Sequence, residues 1–526
     1  MKLGLTMLQK LMVTTATVAV FFACTRAPGP ATAGSDESTP GAYEDLPRVS
    51  AATPFLADCN GPNFPITAAY INAESEPYIA VNPRNPDNLI VVYHEDRYPN
   101  DGANGVLASI SFDGGRTWQV PKLQDQPDFS RCAGGTEANG GNFEKASDPY
   151  VAFGPDGTAY FAAISWNGSG PEEAQFVSTS TDGGRTWGRP VAAIRASDPD
   201  VRNSARSTVA PDPTREHTAY LVWARQRSAP ASEARGAVGF SRTTDGGETW
   251  SKAGEIYQTP IGMGTSANKI VVMPNGDLVN VFSELPRGTQ SDRSSHRILV
   301  IRSTDSGSTW SKPMTVATAS VADIDDPRTG ARVRTGNSFT DIAVDPRPGT
   351  NTMYAVWEDA RFTQERTEQI AFAKSTDGGL TWADPVAVST DKETQNFIPS
   401  VAVNDRGDVA VAWYGFAAAT SDTRELPTRY WIAFSKDQGQ TWSAQQPVTS
   451  RPFDLRTAPY NTGFFLGEYQ GLTGAGRSFF AAMTLTNGRS LDNRTDIYSC
   501  TVTPDDHMVP YDGTGTVCAA PGVQQQ

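Results

Sequence analysis

The chain has 526 residues, 38% hydrophobic and 19% charged, with a formal net charge of −14. No run of lysine and arginine offers a track for phosphates, which excludes nucleic acid as a partner; an acidic surface of this kind serves mainly solubility. The length alone suggests about three or four domains, but a periodic signal overrides that count and gives one.

From the N-terminus, Lys2 and Lys10 precede an apolar stretch from Leu11 to Ala23, the pattern of a secretory signal over residues 1–23 and too short for a membrane span. Cys24 follows Phe21-Phe22-Ala23 and resembles a bacterial lipoprotein processing site, although Phe21 stands where leucine is usual. Residues 24–50, rich in Pro, Gly, Ala and Ser at the start, then form a flexible tether; ordinary cleavage after Ala31-Thr32-Ala33 is the alternative. Either route takes the protein out of the cytoplasm, as an envelope lipoprotein touching the membrane only through a lipid on Cys24, or as a secreted protein. The other four cysteines, Cys59, Cys132, Cys500 and Cys518, allow three pairings in an exported chain. Near neighbours are expected to pair, Cys59 with Cys132 and Cys500 with Cys518.

Residues 51–505 carry the periodic signal, and 506–526 form a tail. Six octapeptides of the form Ser/Thr-x-Asp-x-Gly-x-Thr-Trp place their aspartates at 113, 182, 245, 305, 377 and 437, 60 to 72 residues apart. Each residue suits a tight strand-to-strand turn. The aspartate accepts hydrogen bonds from the turn's amides, the glycine permits positive φ, the threonine starts the next strand, and the tryptophan buries its ring on a neighbouring sheet. Six equal copies argue against a catalytic or metal role, because a site needs one constellation.

The octapeptide is identified as the Asp box of the sialidase (neuraminidase) superfamily, also called the BNR repeat, and the resemblance covers roughly residues 70 to 500. It implies an all-β fold, a β-propeller, with each box joining the third and fourth strands of a blade on the face away from the ligand site. A second pattern, two short apolar strands around a turn, recurs upstream of each box, as in Pro77–Val81 turning to Leu89–Tyr93, and once more without a box from Tyr469 to Cys500. Seven such pairs favour seven blades over six, with the segment around Phe55 to Ile71 supplying the missing outer strand of the last blade. The strands read as half-buried alternation.

Function is then expected on the face opposite the boxes, where inner strands begin and second strands end. Inner-strand starts are Glu76, Asp148, Arg206, Asn268, Asp341 and the pair Glu468-Tyr469; second-strand ends include Glu95-Asp96-Arg97, Arg225, Glu284 and Glu358-Asp359. Arg97, Arg227 and Arg361 each lie four residues after an aromatic, at Tyr93, Trp223 and Trp357. Three guanidinium groups around one funnel suit a carboxylate, whereas local pairing with Glu or Asp would only brace the blades.

Compared with sialidases position by position, Ser75-Glu76-Pro77-Tyr78 stands where their first triad arginine belongs, so that arginine is absent. The middle blade also lacks their Glu and Arg, having Asn268 and Glu284 instead. Arg97 and Asp101 resemble their arginine and acid/base aspartate, and Tyr469 their nucleophilic tyrosine, with Glu468 beside it as base.

The resemblance therefore implies an exported sialidase-like glycoside hydrolase acting on terminal acidic sugars. Asp101, Tyr469 and Glu468 would be catalytic, and Arg97, Arg227, Arg361, Glu76 and Asp148 would bind substrate. A pair of carboxylates such as Asp101 and Glu468 would also serve a glycosidase. The alternative is a non-catalytic propeller that binds a glycan or protein partner at the cell envelope. No cofactor or metal is expected, the acidic stretch Asp323–Asp326 reading as a solvated turn, and a monomer is expected.

Overall fold

The computed structural model describes residues 43, 45–60, 69–168, 171–197, 201–202, 206–227, 231–287, 295–419, 424–488, 490–506 and 518. The expected signal, Cys24 and most of the tether and tail lie outside these residues. The described part is all-β, as the sequence predicts, with only short 3-10 turns between strands. No helix among the described residues is long and apolar enough to cross a membrane.

Seven antiparallel three-strand meanders follow one another. They are Ser75–Asn82, Asn85–Arg97, Ala103–Ser111; Lys145–Phe153, Ala159–Trp166, Glu173–Ser180; Thr208–Pro211, Ala219–Arg227, Arg235–Thr243; and Met263–Val272, Leu278–Pro286, His296–Ser303. The last three are Asp341–Val344, Met353–Asp359, Gln369–Ser375; Thr394–Val403, Val409–Ala417, Pro427–Ser435; and Gly471–Ala475, Ser478–Thr486, Thr495–Val502. The first strand of each repeat touches the first strand of the next, and that of the seventh touches that of the first. The inner strands thus form the closed cycle of a β-propeller.

The second strands are not half-buried, as simple alternation suggests, but buried on both faces. Leu89, Val91 and Tyr93 pack with Phe480 and Ile497 of the seventh repeat. Ile90 and Val92 pack with Tyr150, Val151 and Phe161 of the second. A strand with a sheet on either side must be apolar along its whole length.

The octapeptides make the turns their residues suit. Asp113 Oδ1 accepts from the amides of Arg116 and Thr117 at 3.0 and 2.9 Å, and Oδ2 accepts from the Thr117 hydroxyl at 2.6 Å. The Thr amide makes the same bond in the other five turns, from Thr186, Thr249, Thr309, Thr381 and Thr441. The glycine two residues after each aspartate has φ between 81° and 92°, conformations closed to most side chains. Three of the tryptophans reach the preceding repeat: Trp310 meets Phe240 edge-on at 5.5 Å, Trp442 meets Phe372 at 5.0 Å, and Trp118 Nε1 donates to Ser499 Oγ at 2.8 Å; Trp187 meets Phe161 of its own repeat at 5.4 Å.

The ring closes earlier in the chain than Phe55 to Ile71. Arg48 bridges Tyr498, the Val49 amide donates to the Ile497 carbonyl at 2.8 Å, and the Ser499 amide donates to the Pro47 carbonyl at 3.0 Å. Tyr43, Leu46 and Val49 are buried, so the packed body begins by Tyr43 and includes part of the expected tether. Phe55 instead packs on Gly105, where an added Cβ would lie 2.6 Å from its ring. Both near-neighbour disulfides are present, Cys59–Cys132 and Cys500–Cys518. Asp326 is not solvated: it is fully buried and takes a two-pronged bond from Arg456, with both distances 2.7 Å.

Candidate functional site

The inner strands of four repeats enter with the same irregularity. Register slips between Ser75 and Tyr78, Ser147 and Tyr150, Ser266 and Lys269, and Phe397 and Ser400. Within these slips Glu76, Asp148, Ala267 and Ile398 adopt φ of 54°, 54°, 56° and 51°, the left-handed region where non-glycine residues are strained. A bulge of this kind redirects one side chain. In the first two repeats that side chain is an acid, and both acids line one cavity of about 340 Å³. The volume suits a small-molecule ligand.

Five of the eight residues singled out in the sequence line this cavity: Glu76, Arg97, Asp101, Asp148 and Glu468. Arg334, Trp166 and Glu173 complete its polar and aromatic wall. Glu76 and Asp148 each offer an oxygen, and His94 a ring nitrogen, all within 4.8 Å of one another.

Hydrogen bonding fixes the state of the histidine. The Asp148 amide donates to His94 Nε2 at 3.1 Å, so the ring proton sits on Nδ1, facing Ser75 Oγ at 3.1 Å and Glu76 Oε2 at 3.5 Å. Burial, helped by nearby Arg97, pushes the imidazole well below its usual pKa and keeps it neutral. With the Nε2 lone pair taken by the Asp148 amide and the Nδ1 proton facing Ser75 and Glu76, the ring has no nitrogen lone pair left for a cation.

The two acids are held differently from their neighbours. Glu76 Oε1 accepts from the Glu468 amide at 3.1 Å, while Oε2 is buried without a hydrogen-bond donor. Burial, reinforced by the charges of Asp148 and Glu468, raises its pKa to about 8. Asp148 Oδ1 accepts from Ser147 Oγ at 2.8 Å, and burial raises its pKa to about 6. Near neutral pH the pair therefore holds one proton and one negative charge.

Asp101 and Glu468 share one cation. Arg334 Nη1 reaches Asp101 Oδ1 at 2.7 Å and its Nη2 reaches Glu468 Oε1 at 2.8 Å. Asp101 also accepts from Asn461 at 2.7 Å and lies 3.4 Å from Arg97 Nη2. Burial would raise the Asp101 carboxyl, but Arg334 and Arg97 outweigh it and hold it at about 2. The Arg97 and Arg334 guanidinium groups both stack on Phe465, at 4.6 and 4.9 Å from its centroid. The cavity thus has five carboxyl groups and two arginines, both arginines already engaged by carboxylates.

The other three residues do not line the cavity. Tyr469 is buried beneath it; its hydroxyl donates to the Pro149 carbonyl at 3.1 Å and Arg206 covers its ring at 4.7 Å. Burial, with the charges of Glu76 and Asp148, pushes the phenol well above its ordinary pKa, the reverse of what a nucleophile requires. Arg227 pairs at 2.9 Å with Glu255 on its own repeat's outer strand. Arg361 pairs at 2.7 Å with the buried Asp359. Both arginines therefore brace their repeats.

Sequence reasoning missed Arg334, which lies in a linker between repeats, on a two-residue strand paired in parallel with Phe464–Phe465. No periodicity marks it. Trp166 and His94 stood next to recognised strand ends, and a search for aromatic or histidine side chains at those ends would have found them.

No protein-family model matches the chain, and no curated protein matches it in sequence. Among solved structures it is similar to the Hadza microbial sialidase Hz136, at 17% identity and a TM-score of 0.42, over 69% of this chain and 66% of that one, just under two thirds of the sialidase's length. It is similar to a Penicillium chrysogenum alpha-L-arabinanase at 12% identity and a TM-score of 0.43, over 88% and 99% of the two chains. A Trypanosoma rangeli sialidase matches at 13% identity and a TM-score of 0.37, over 73% of this chain and 56% of its own. These likenesses are of fold alone.

Proposed function

We propose that the chain is a glycoside hydrolase that cleaves a terminal, uncharged sugar, with Glu76 as proton donor and Asp148 as its ionised partner. The observation that carries this reading is the pair itself: two carboxyl oxygens within 4.8 Å, in a cavity of sugar size, whose burial leaves one protonated and one ionised near neutral pH. Glycosidic cleavage needs one acid and one carboxylate; carboxyl oxygens no more than 4.8 Å apart are too close for the roughly 6.5–9.5 Å that inversion needs to admit water, which favours a retaining mechanism through a glycosyl-enzyme.

In this reading Asp148 attacks the anomeric carbon while Glu76 protonates the leaving oxygen. Glu76, then ionised, draws a proton from water as that water releases the sugar from Asp148. His94 holds the Asp148 amide, the Glu468 amide holds Glu76, and the Tyr469 hydroxyl holds the carbonyl that follows Asp148; these are positioning groups. Trp166 offers an apolar surface to a sugar ring. The excess of carboxyl groups over arginines, and the engagement of Arg97 and Arg334 by Asp101 and Glu468, favour a neutral sugar over the acidic one that the sialidase resemblance implies.

Export is part of the proposal. Two disulfides belong to an oxidising compartment, in keeping with the signal-like start of the chain. The test of function is release of product from a panel of neutral and acidic fluorogenic glycosides by the full chain, beside Glu76→Gln. Release of a neutral sugar that is lost in the variant is expected. Preferred cleavage of a sialoside would overturn the choice of substrate, and no turnover of any glycoside would leave a binding propeller.

A further inference from the structure

The geometry points to a second sugar platform on the rim beside Asp101, centred on Tyr460, which takes the chain of a neutral oligosaccharide whose terminal unit fills the cavity. This inference rests on the glycosidase reading above and names its substrate as an oligosaccharide or polysaccharide.

Tyr460 is 45% exposed, the one aromatic among the large hydrophobic side chains exposed in the described residues. A single exposed hydrophobic residue is ordinary; its placement is what matters. The next residue, Asn461, donates to Asp101 Oδ1 at 2.7 Å, which fixes Tyr460 at the cavity's edge. Phe464 braces the Tyr460 ring edge-on, 5.6 Å away at 89°. The Tyr70 hydroxyl donates to the Tyr460 carbonyl at 3.3 Å, and Tyr70 itself bridges the backbone of Arg97, a cavity residue. The ring is therefore braced by Phe464 and the Tyr460 backbone is tied by Tyr70, while part of the ring's surface stays open.

Trp166 closes over Gly102, next to Asp101 in the chain, where an added Cβ would lie 2.7 Å from the indole. The Asp101-Gly102 turn is thus flanked by an aromatic residue inside the cavity and another on its rim. Between them the Asp101 side chain is 58% exposed and ionised, an acceptor for hydroxyl groups. Aromatic surfaces separated by carboxylate acceptors match a run of sugar rings, which alternate apolar C–H faces with hydroxyl edges.

The test is binding of cello-, xylo-, manno- and arabino-oligosaccharides of one to six units to the full chain by calorimetry, for wild type and Tyr460→Ala, alongside turnover of the same sugars. Affinity in one series should rise with length, and Tyr460→Ala should lose about tenfold on the longest members and progressively less on shorter ones. Tyr460→Phe, which keeps the ring, should restore the rise. Affinity independent of length, or a rise that Tyr460→Ala leaves intact while the disaccharide is still cleaved, would overturn the platform and leave the glycosidase standing. Absence of both binding and turnover across all series would overturn the glycosidase reading and the platform with it.

Discussion

The Glu468 amide donates to Glu76 Oε1 at 3.1 Å across 392 residues of sequence, so the end of the ring holds the acid at its beginning. The contact exists only because the seventh repeat returns to the first. The cavity and the closure of the propeller are in this sense one structure.

Glu76→Gln is expected to lower kcat by about 10²–10⁴ on any glycoside the chain cleaves, because the leaving group loses its proton donor. The same variant should be more stable than wild type at alkaline pH. The folded pKa of Glu76, about 8, lies above the unfolded value of 4.5, so its contribution to stability is full below 4.5 and is lost as pH rises to about 8. Glutamine removes that loss. Thermal unfolding at pH 5 and pH 9 checks this; a variant that is inactive and less stable at both would mean a damaged fold.

The pH profile of kcat/KM should be a bell, rising near pH 6 as the pair loses its first proton and falling near pH 8 as it loses the second. Asp148→Asn should remove the acidic limb from whatever activity remains. A flat wild-type profile from pH 5 to 9 would count against the pair as acid and nucleophile.

Glu74 and Glu95 lie at the seam where the ring closes, 0% and 1% exposed, each with no donor but the other's carboxyl among the described residues. Burial, then each group's acidic neighbours, Glu95 and Asp496 for Glu74, Asp96 and Asp496 for Glu95, push both well above the usual range. Raised carboxyl groups favour the fold in acid and weaken it as pH rises above 4.5. Glu74→Gln keeps a donor to Glu95 that cannot ionise and should raise the unfolding midpoint at pH 8 by roughly 2–4 °C, with less gain at pH 5. Equal shifts at both values would show that the charge is not responsible.

Arg334→Met leaves Asp101 and Glu468 facing each other without their shared cation. Because the Asp101 side chain is 58% exposed, the cost is smaller than for a fully buried pair, about 1–3 kcal/mol in denaturant unfolding. Adding Asp101→Asn to Arg334→Met should recover part of it. Full additivity of the two changes would mean that the ion pair carries no coupling energy.

The sequence by itself determined everything that repeats. Turn chemistry and strand pattern act over a few residues, so the octapeptides predicted repeated strand-to-strand turns, and the sialidase resemblance they carry implied an all-β propeller with function expected on the face away from them. Near-neighbour cysteine pairing was likewise legible, and so was the grouping of Glu76, Arg97, Asp148 and Glu468 on one cavity, because each lies at or beside a strand end that the repeat defines; Asp101, in the turn after such an end, came from the sialidase resemblance. What only the tertiary structure decided is the relation between residues far apart in the chain. Arg334 meets Asp101 across 233 residues from a linker that follows no period. Whether Arg97 was free for a ligand or already engaged by Asp101, whether Tyr469 reached the cavity or lay beneath it, and whether two acids shared one proton all turned on distances of a few ångströms and on burial. Coulombic and desolvation energies vary steeply over such distances, and no local pattern in the chain encodes them.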